Sequence, residues 1–218
     1  MEITVAPALR EIWPQAALGV LCYTAEVQPS CGPLLADFEA ELARLAGRYQ
    51  LDTITKNPHV DATRRAYKAL GKSPSEYRNS AEAMLRRIVK GSGLYHINNV
   101  IELNNLISVR SGYAVGSYDV EQLRGRVELC RAEDGAHYDG IGKSSVNIQH
   151  LPVLRDELGY FGSPTSDSQR AMIKEGRRRV CSVIYAFDGP DAVAEWVREY
   201  AASLEKYLAA AELTTQVI

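Results

Sequence analysis

No apolar run in this 218-residue chain approaches the roughly 20 residues needed to cross a bilayer. The opening residues Met1-Glu2-Ile3-Thr4-Val5 lack the basic start and apolar stretch of a secretory leader, so the expected compartment is cytoplasmic. The four cysteines, Cys22, Cys31, Cys130 and Cys181, form no Cys-x-x-Cys pair, and no histidine stands at ligand spacing to one. A zinc site is therefore not expected. Cys130 and Cys181 lie in apolar, strand-like runs and read as buried, reduced thiols. His59, His96, His137 and His150 are scattered, and there is no Gly-x-Ser-x-Gly elbow, Walker loop or metal-ligand pair. Asp134, Asp139 and Asp156 sit in turn-like contexts and read as solvated loop carboxylates. Neither a cofactor nor a metal is implied. No internal repeat, low-complexity tract or linker interrupts the chain, and its length suits one domain over residues 1–218.

What is present is enough apolar material for a core, 46% of residues, and an uneven charge. The net charge of −2 does not suggest a nucleic-acid binder. Between Lys56 and Lys90, however, nine basic and three acidic residues leave +6, a hint of an anionic partner. Helical spacing predicts helices over about 34–49, over Pro58–Leu70 with Gly71 as its C-terminal cap, from Asn79 to about Gly91, and over about Asn98–Arg110. Asn79 followed by Glu82 resembles a capping box. The helix at 98–110 is apolar nearly all round, as buried helices are. Strands are predicted at the start of the chain, at Ala17–Tyr23 and between Tyr113 and Phe187, with Val127–Cys130 and Val180–Phe187 the clearest. A short helix follows Pro7, a last helix follows Asp191, and Thr214–Ile218 would close an edge. Helices early, strands later and one helix last indicate α+β rather than strict alternation.

Arg64 and Lys68 share a helix face and repel one another, so an anion between them would be stabilising; a solvated basic face is the plainer reading. Arg86, Arg87 and Lys90 lie opposite the apolar stripe of their helix, with Glu82 an i,i+4 partner for Arg86, and Arg78 lies just before the cap. Asn104 places an amide inside an apolar stripe and must find a partner, since leaving it bare costs about 1–3 kcal/mol. That partner is either neighbouring backbone or a ligand at a pocket wall. The run from Gly159 to Ser168 combines two glycines, four hydroxyls, two aromatics and Asp167. It reads either as a ligand-lining loop or as a turn in which Asp167 or Ser168 caps a short helix at Gln169–Ile173.

The stretch Ile97-Asn98-Asn99-Val100-Ile101-Glu102-Leu103-Asn104-Asn105 resembles the motif Ile-Asn-Asn-Val-Val-Asp-Val-Thr-Asn of the phenylalanyl-tRNA synthetase β subunit. In the same register, Gly112-Tyr113-Ala114-Val115-Gly116-Ser117-Tyr118-Asp119 stands where that family has Gly-Gln-Pro-Met-His-Ala-Phe-Asp. Val120–Gly125 resembles its Leu-Asp-Lys-Leu-x-Gly, and the following strand and turn match through Gly135. Arg64–Lys72, Tyr77–Ala83 with Arg86-Arg87, and Phe161–Ser168 are similar to small bacterial proteins that carry the synthetase's tRNA-editing domain alone. The resemblance spans most of residues 58–188, with the register best over 97–135.

It implies a β-sandwich-like sheet core of unusual topology with flanking helices. It also implies a tRNA partner rather than DNA or a membrane, and the hydrolysis of a mischarged aminoacyl-tRNA. On this reading Asn98, Asn104, Tyr118, Asp119, Phe161, Ser163, Thr165, Asp167 and Ser168 shape an aminoacyl pocket, and Arg64, Lys68, Arg78, Arg86 and Arg87 hold RNA phosphates. Two features depart from the pattern. The motif's histidine is Gly116 here, and the run Val180–Phe187, where the synthetase carries a carboxylate, has no acid. Tyrosine specificity and a catalytic residue are therefore not carried over. A non-catalytic RNA-binding module, or a protein that binds an amino acid or other metabolite in the same pocket, are the alternatives.

Overall fold

The computed structural model describes residues 1–142 and 144–218. Its strands and helices are β1 (Ile3–Val5), α1 (Pro7–Ile12), β2 (Ala17–Val27), α2 (Gly32–Arg48), α3 (Pro58–Leu70), α4 (Ser80–Val89), α5 (Asn99–Ser111) and β3 (Ala114–Asp119). There follow β4 (Val127–Arg131), β5 (His137–Tyr138), β6 (Val146–Asn147), β7 (Pro152–Asp156), β8 (Gly159–Gly162), β9 (Gly176–Ala186), α6 (Pro190–Leu208) and β10 (Ala211–Val217). One four-stranded sheet has the order β1-β4-β7-β8, a second the order β10-β2-β9-β3, and β5 pairs with β6. All neighbours are antiparallel except β1 and β4, which run parallel.

The alternation along β2 and β9 shows how the layers stack. Leu18 and Val20, with Cys181, Val183, Tyr185 and Phe187, join one core, shared with β1, β4, β7 and β8 of the facing sheet and with α3. Ala17, Leu21, Tyr23 and Ala25, with Val180, Ile184 and Ala186, join a second core with α2, α4, α5 and α6. The β10-β2-β9-β3 sheet is therefore packed on both faces, by a second sheet and by helices. This is an α+β fold with a β-sandwich core and flanking helices, as the sequence indicated. Strands buried on both faces lose the polar alternation, because a polar side chain has no wet side to point toward.

The helix ends follow the local chemistry. Asn57 accepts from the His59 and Val60 amides to cap α3, Pro58 occupies its first turn, and Gly71 closes it in the left-handed region at φ 90°. Asn79 accepts from the Glu82 amide at 2.7 Å to cap α4, but Glu82 does not complete a capping box. Its carboxylate, fully buried, instead holds Arg64 and Arg86 at 2.9 Å each, with Arg78 at 3.7 Å. α5 is enclosed by α2, α4, α6 and β3, which explains its apolar circumference. β2 runs four residues beyond the predicted Tyr23, and β10 begins at Ala211 rather than at Thr214. The helix expected over 169–173 is a single 3-10 turn, Gln169–Ala171, capped by Ser168. Asp156 is not a solvated loop carboxylate. It is buried at the end of β7, where it accepts from both terminal nitrogens of Arg170 and from the Arg124 and Leu158 amides. Among the described residues no helix is long and apolar enough to cross a membrane.

β2 and α6 approach closely at Gly19. A Cβ added at Gly19 would lie 2.5 Å from Val197 Cγ2 and 3.2 Å from Val193 Cγ2. Gly19→Ala is expected to lower stability by about 1–3 kcal/mol through overpacking. The check is urea unfolding, in which the midpoint should fall with an unchanged slope; an unchanged midpoint would show that α6 can move aside.

Candidate functional site

A cleft of about 210 Å³ opens between α4 and α5 on one side and β3 and the 163–167 loop on the other. Helix α5 contributes Asn98, its N-cap, together with Ile101 and Asn104; β3 contributes Val115 and Ser117; the loop contributes Ser163, Thr165 and Asp167. Met84, Ile97, Ile141, Met172 and Ile173 give it an apolar lining, and of these Ile97 and Ile141 stand exposed. This is the usual texture of a ligand site, apolar walls with a few converging polar groups.

Asp167 is the most perturbed group in the cleft. Its Oδ1 accepts from the Tyr118 hydroxyl at 2.8 Å and from the Ser163 amide at 3.1 Å. Those bonds favour the carboxylate, but burial outweighs them and pushes the carboxyl up to about 7. Tyr118 in turn meets the Tyr185 hydroxyl at 2.5 Å. Since Tyr118 donates to Asp167, Tyr185 must donate to Tyr118. Burial holds both phenols far above their usual range, so each is a neutral donor across the physiological span.

Gly116 explains how Tyr118 reaches this position. Its added Cβ would lie 2.2 Å from the Tyr118 hydroxyl oxygen and 3.2 Å from Asp167 Oδ2. Gly162, on the facing sheet, would meet the same hydroxyl at 2.2 Å. The hydroxyl of Tyr118 thus lies between two glycines. A histidine at 116 would occupy the path of the phenol, so the missing histidine and the Tyr118–Asp167 bond are two aspects of one arrangement.

Asn104 is 3% exposed and is satisfied by side chains rather than backbone. Its Oδ1 accepts from Ser117 at 2.9 Å and from Tyr200. Ser182, on β9, meets Ser117 at 2.5 Å, Tyr23 at 3.0 Å and Tyr200 at 3.1 Å. This network fixes the amide so that its Nδ2, which has no partner among the described residues, remains available on the cleft wall. The loop is clamped from behind: Tyr67 meets Thr165 Oγ1 at 2.8 Å, Tyr138 donates to Ser163 and to the Ser166 carbonyl, and the Ser80 amide donates to the Pro164 carbonyl at 2.7 Å.

The structure gathers Asn98, Asn104, Ser163, Thr165 and Asp167 around the cleft. Tyr118 stands directly behind Asp167, and Phe161 packs edge-on against Tyr118 at 5.0 Å. Asp119 and Ser168 lie elsewhere. Asp119 caps the turn after β3 through the Glu121 amide, and Ser168 caps the turn at Gln169. Of the basic residues, Arg64 and Arg86 are committed to Glu82. Arg87 lies over the Tyr95 ring at 4.6 Å and donates to the Ser92 and Gly93 carbonyls. Lys68 and Arg78 are exposed. Sequence reasoning missed Tyr67, Tyr138, Tyr185, Ser117 and Ser182. The available signal was a chain with twelve tyrosines and only three phenylalanines, a ratio that implies work for the ring hydroxyls.

A family model described as the B3/4 domain matches residues 62–206. Among solved structures, an N-terminal fragment of the phenylalanyl-tRNA synthetase β-subunit from Pyrococcus horikoshii is similar, with a TM-score of 0.47 and 10% identity. That alignment covers 96% of this chain and 49% of the fragment, so the chain spans about half the fragment's length. No curated protein sequence matches the chain.

A carboxyl held at about 7 when folded, against about 3.9 when unfolded, makes the folded state the better proton binder between those values. Its contribution to stability is therefore complete below pH ~4 and is lost as pH rises through ~7. Asp167→Asn keeps an oxygen acceptor and removes the titration. Comparing urea unfolding at pH 5 and pH 8, wild type should lose stability relative to the variant at the higher pH. Parallel curves would mean that Asp167 titrates as an ordinary carboxylate.

Proposed function

The chain belongs to the B3/4 domain family, and from that premise we propose that it receives the aminoacyl end of a tRNA in the α5–β3 cleft and hydrolyses a mischarged ester there. The observation that carries this reading is Asp167, a carboxyl poised near 7 at the wall of an apolar cleft with unpaired amide donors beside it. A group with that pKa is partly ionised at neutral pH and can take a proton from a bound water. Asn104 Nδ2, and the Asn98 side chain at the head of α5, are placed to donate to an ester carbonyl or to the amino acid. The proton moves from water to Asp167, hydroxide adds to the ester carbon, and as the C–O bond breaks the terminal ribose oxygen takes that proton back from Asp167 and leaves as a hydroxyl.

On this reading Lys68 and Arg87, whose charges no buried carboxylate holds, supply the phosphate contacts, joined by Arg78, which is exposed and only loosely paired with Glu82 at 3.7 Å. Arg64 and Arg86 support that surface through Glu82. The site of action is the cytoplasm, and the domain is of the editing type. A second reading, a pocket for a free amino acid or similar metabolite, is favoured by the gathering of three predicted phosphate ligands, Arg64, Arg78 and Arg86, at Glu82.

The deciding experiment is deacylation of a panel of mischarged tRNAs at several pH values. The expected outcome is turnover of at least one ester, with kcat/KM rising with pH and levelling above ~7 as Asp167 ionises. Asp167→Asn should be lower by about 10²–10⁴-fold, the usual contribution of a general base, and nearly flat with pH. No turnover on any tRNA removes the hydrolytic reading. Binding of tRNA that weakens steeply with salt would then leave an RNA-binding module, whereas thermal stabilisation by a free amino acid, with no tRNA affinity, would establish the second reading.

A further inference from the structure

Cys22 on β2 and Cys181 on β9 are direct partners in the antiparallel ladder. Opposed Cα atoms in such a ladder are about 4.5–5.5 Å apart, within the roughly 4.4–6.8 Å over which a disulfide closes. Both side chains face the layer between the two sheets. Cys181 is buried and Cys22 half-buried. Cys22 opens into a narrow cleft of about 160 Å³ that is also lined by Arg179, Thr214 and Gln216. The hydrogen bond from the Cys181 thiol outweighs burial, and with help from the Arg179 charge it brings Cys22 down to about 7. That same bond, reinforced by burial, holds Cys181 well above its usual value. The outer, half-buried sulfur is thus partly thiolate at neutral pH, and the inner one a protonated thiol lying against it.

We propose that Cys22 and Cys181 form a peroxide-sensitive dithiol that closes to a cross-strand disulfide. The Cys22 thiolate attacks one oxygen of hydrogen peroxide, the O–O bond breaks, and hydroxide leaves, giving a sulfenic acid. Cys181 Sγ then attacks Cys22 Sγ, the S–S bond forms and the S–O bond breaks. The departing hydroxyl takes the Cys181 proton and leaves as water. Two thiols are oxidised by one peroxide, which is reduced to two waters. The other two cysteines are internal controls. Cys130 is buried, with its thiol pushed up to about 12 by that burial, and Cys31 is exposed at the start of α2. Neither has a cysteine opposite it in a ladder.

The test treats the full chain with hydrogen peroxide, blocks remaining thiols with N-ethylmaleimide, and maps a non-reducing digest by mass spectrometry. A linked Cys22–Cys181 peptide pair, lighter by two hydrogens than the separate peptides and released by dithiothreitol, is the expected result. Cys22→Ser should abolish the link, and in Cys181→Ala the reaction should stop at a sulfenic acid on Cys22 that dimedone labels. The wild-type map decides the matter even if neither variant folds. Recovery of Cys181 as a free, alkylated thiol beside a Cys22 that is unreacted or oxidised to the sulfinic acid would overturn the proposal.

Discussion

The pairing of β2 with β9 runs eleven residues without a break, from Ala17↔Ala186 to Val27↔Gly176. Over most of that length neither strand has a wet face. One side looks into the sandwich and the other into the helix layer. Every polar side chain carried into this zone must therefore be satisfied by another, because an unpaired buried donor or acceptor costs about 1–3 kcal/mol. Ser182 and Tyr185 are those side chains on β9, and each is met. Ser182 gathers Tyr23, Ser117 and Tyr200, and through Ser117 and Tyr200 it connects to Asn104. Tyr185 meets Tyr118, which connects to Asp167. The two polar chains leave opposite faces of one strand and end at the same cleft, so the cleft's geometry is set by the demand that a doubly buried strand leave nothing unpaired.

Local chemistry was legible in the sequence wherever it is self-contained. Pro58 and Gly71 mark both ends of α3 because a fixed φ and a left-handed residue act within a few positions, whereas the Asn57 cap emerged only in the structure. The all-round apolar surface of α5 announced a buried helix, and Asn104 stood out in it as an amide requiring a partner. The layer order was not legible, since β1 pairs in parallel with a strand more than a hundred residues away and β10 returns to β2 from the far end of the chain. Side-chain partnerships across that distance were hidden too. Arg86 could be matched to Glu82 by helical spacing, but the arrival of Arg64 from another helix could not. Asp156 looked like a loop acid because its partner, Arg170, lies across a turn whose direction the sequence does not specify. The 159–168 loop was recognised by composition, but composition could not separate Asp167, which faces the cleft, from Ser168, which caps a turn.

The basic segment between Lys56 and Lys90 has its own internal logic. A fully buried carboxylate without partners would be intolerable, and Glu82 is rescued by arginines from two helices and from the residues before α4. One negative charge cannot neutralise three guanidiniums, so two units of positive charge remain at their partly exposed ends. The arrangement fixes α3 against α4 and leaves a cationic edge just ahead of Ser80, which lines the cleft. Structural and ligand-directed readings of these arginines are therefore not exclusive. The ion pairs set their positions, and the uncompensated charge sets what they can attract.

Asp167 shows how a departure from a family pattern can be constructive. With a histidine at position 116 and a phenylalanine at 118, as in the motif this chain resembles, residue 118 would bring no hydroxyl to Asp167. Gly116 and Gly162 leave a slot, Tyr118 fills it, and its hydroxyl ends on Asp167 Oδ1. Burial raises the carboxyl while the Tyr118 and Ser163 donors restrain the rise, and the balance lies near neutrality rather than at either extreme. Without the two donors, burial would push the carboxyl further up and leave less of it ionised to act as a base. With full solvent access the group would be a weak base, ionised at every physiological pH. Two missing side chains on facing sheets thus create the room for the Tyr118 bond, which together with the Ser163 amide holds the carboxyl between those limits.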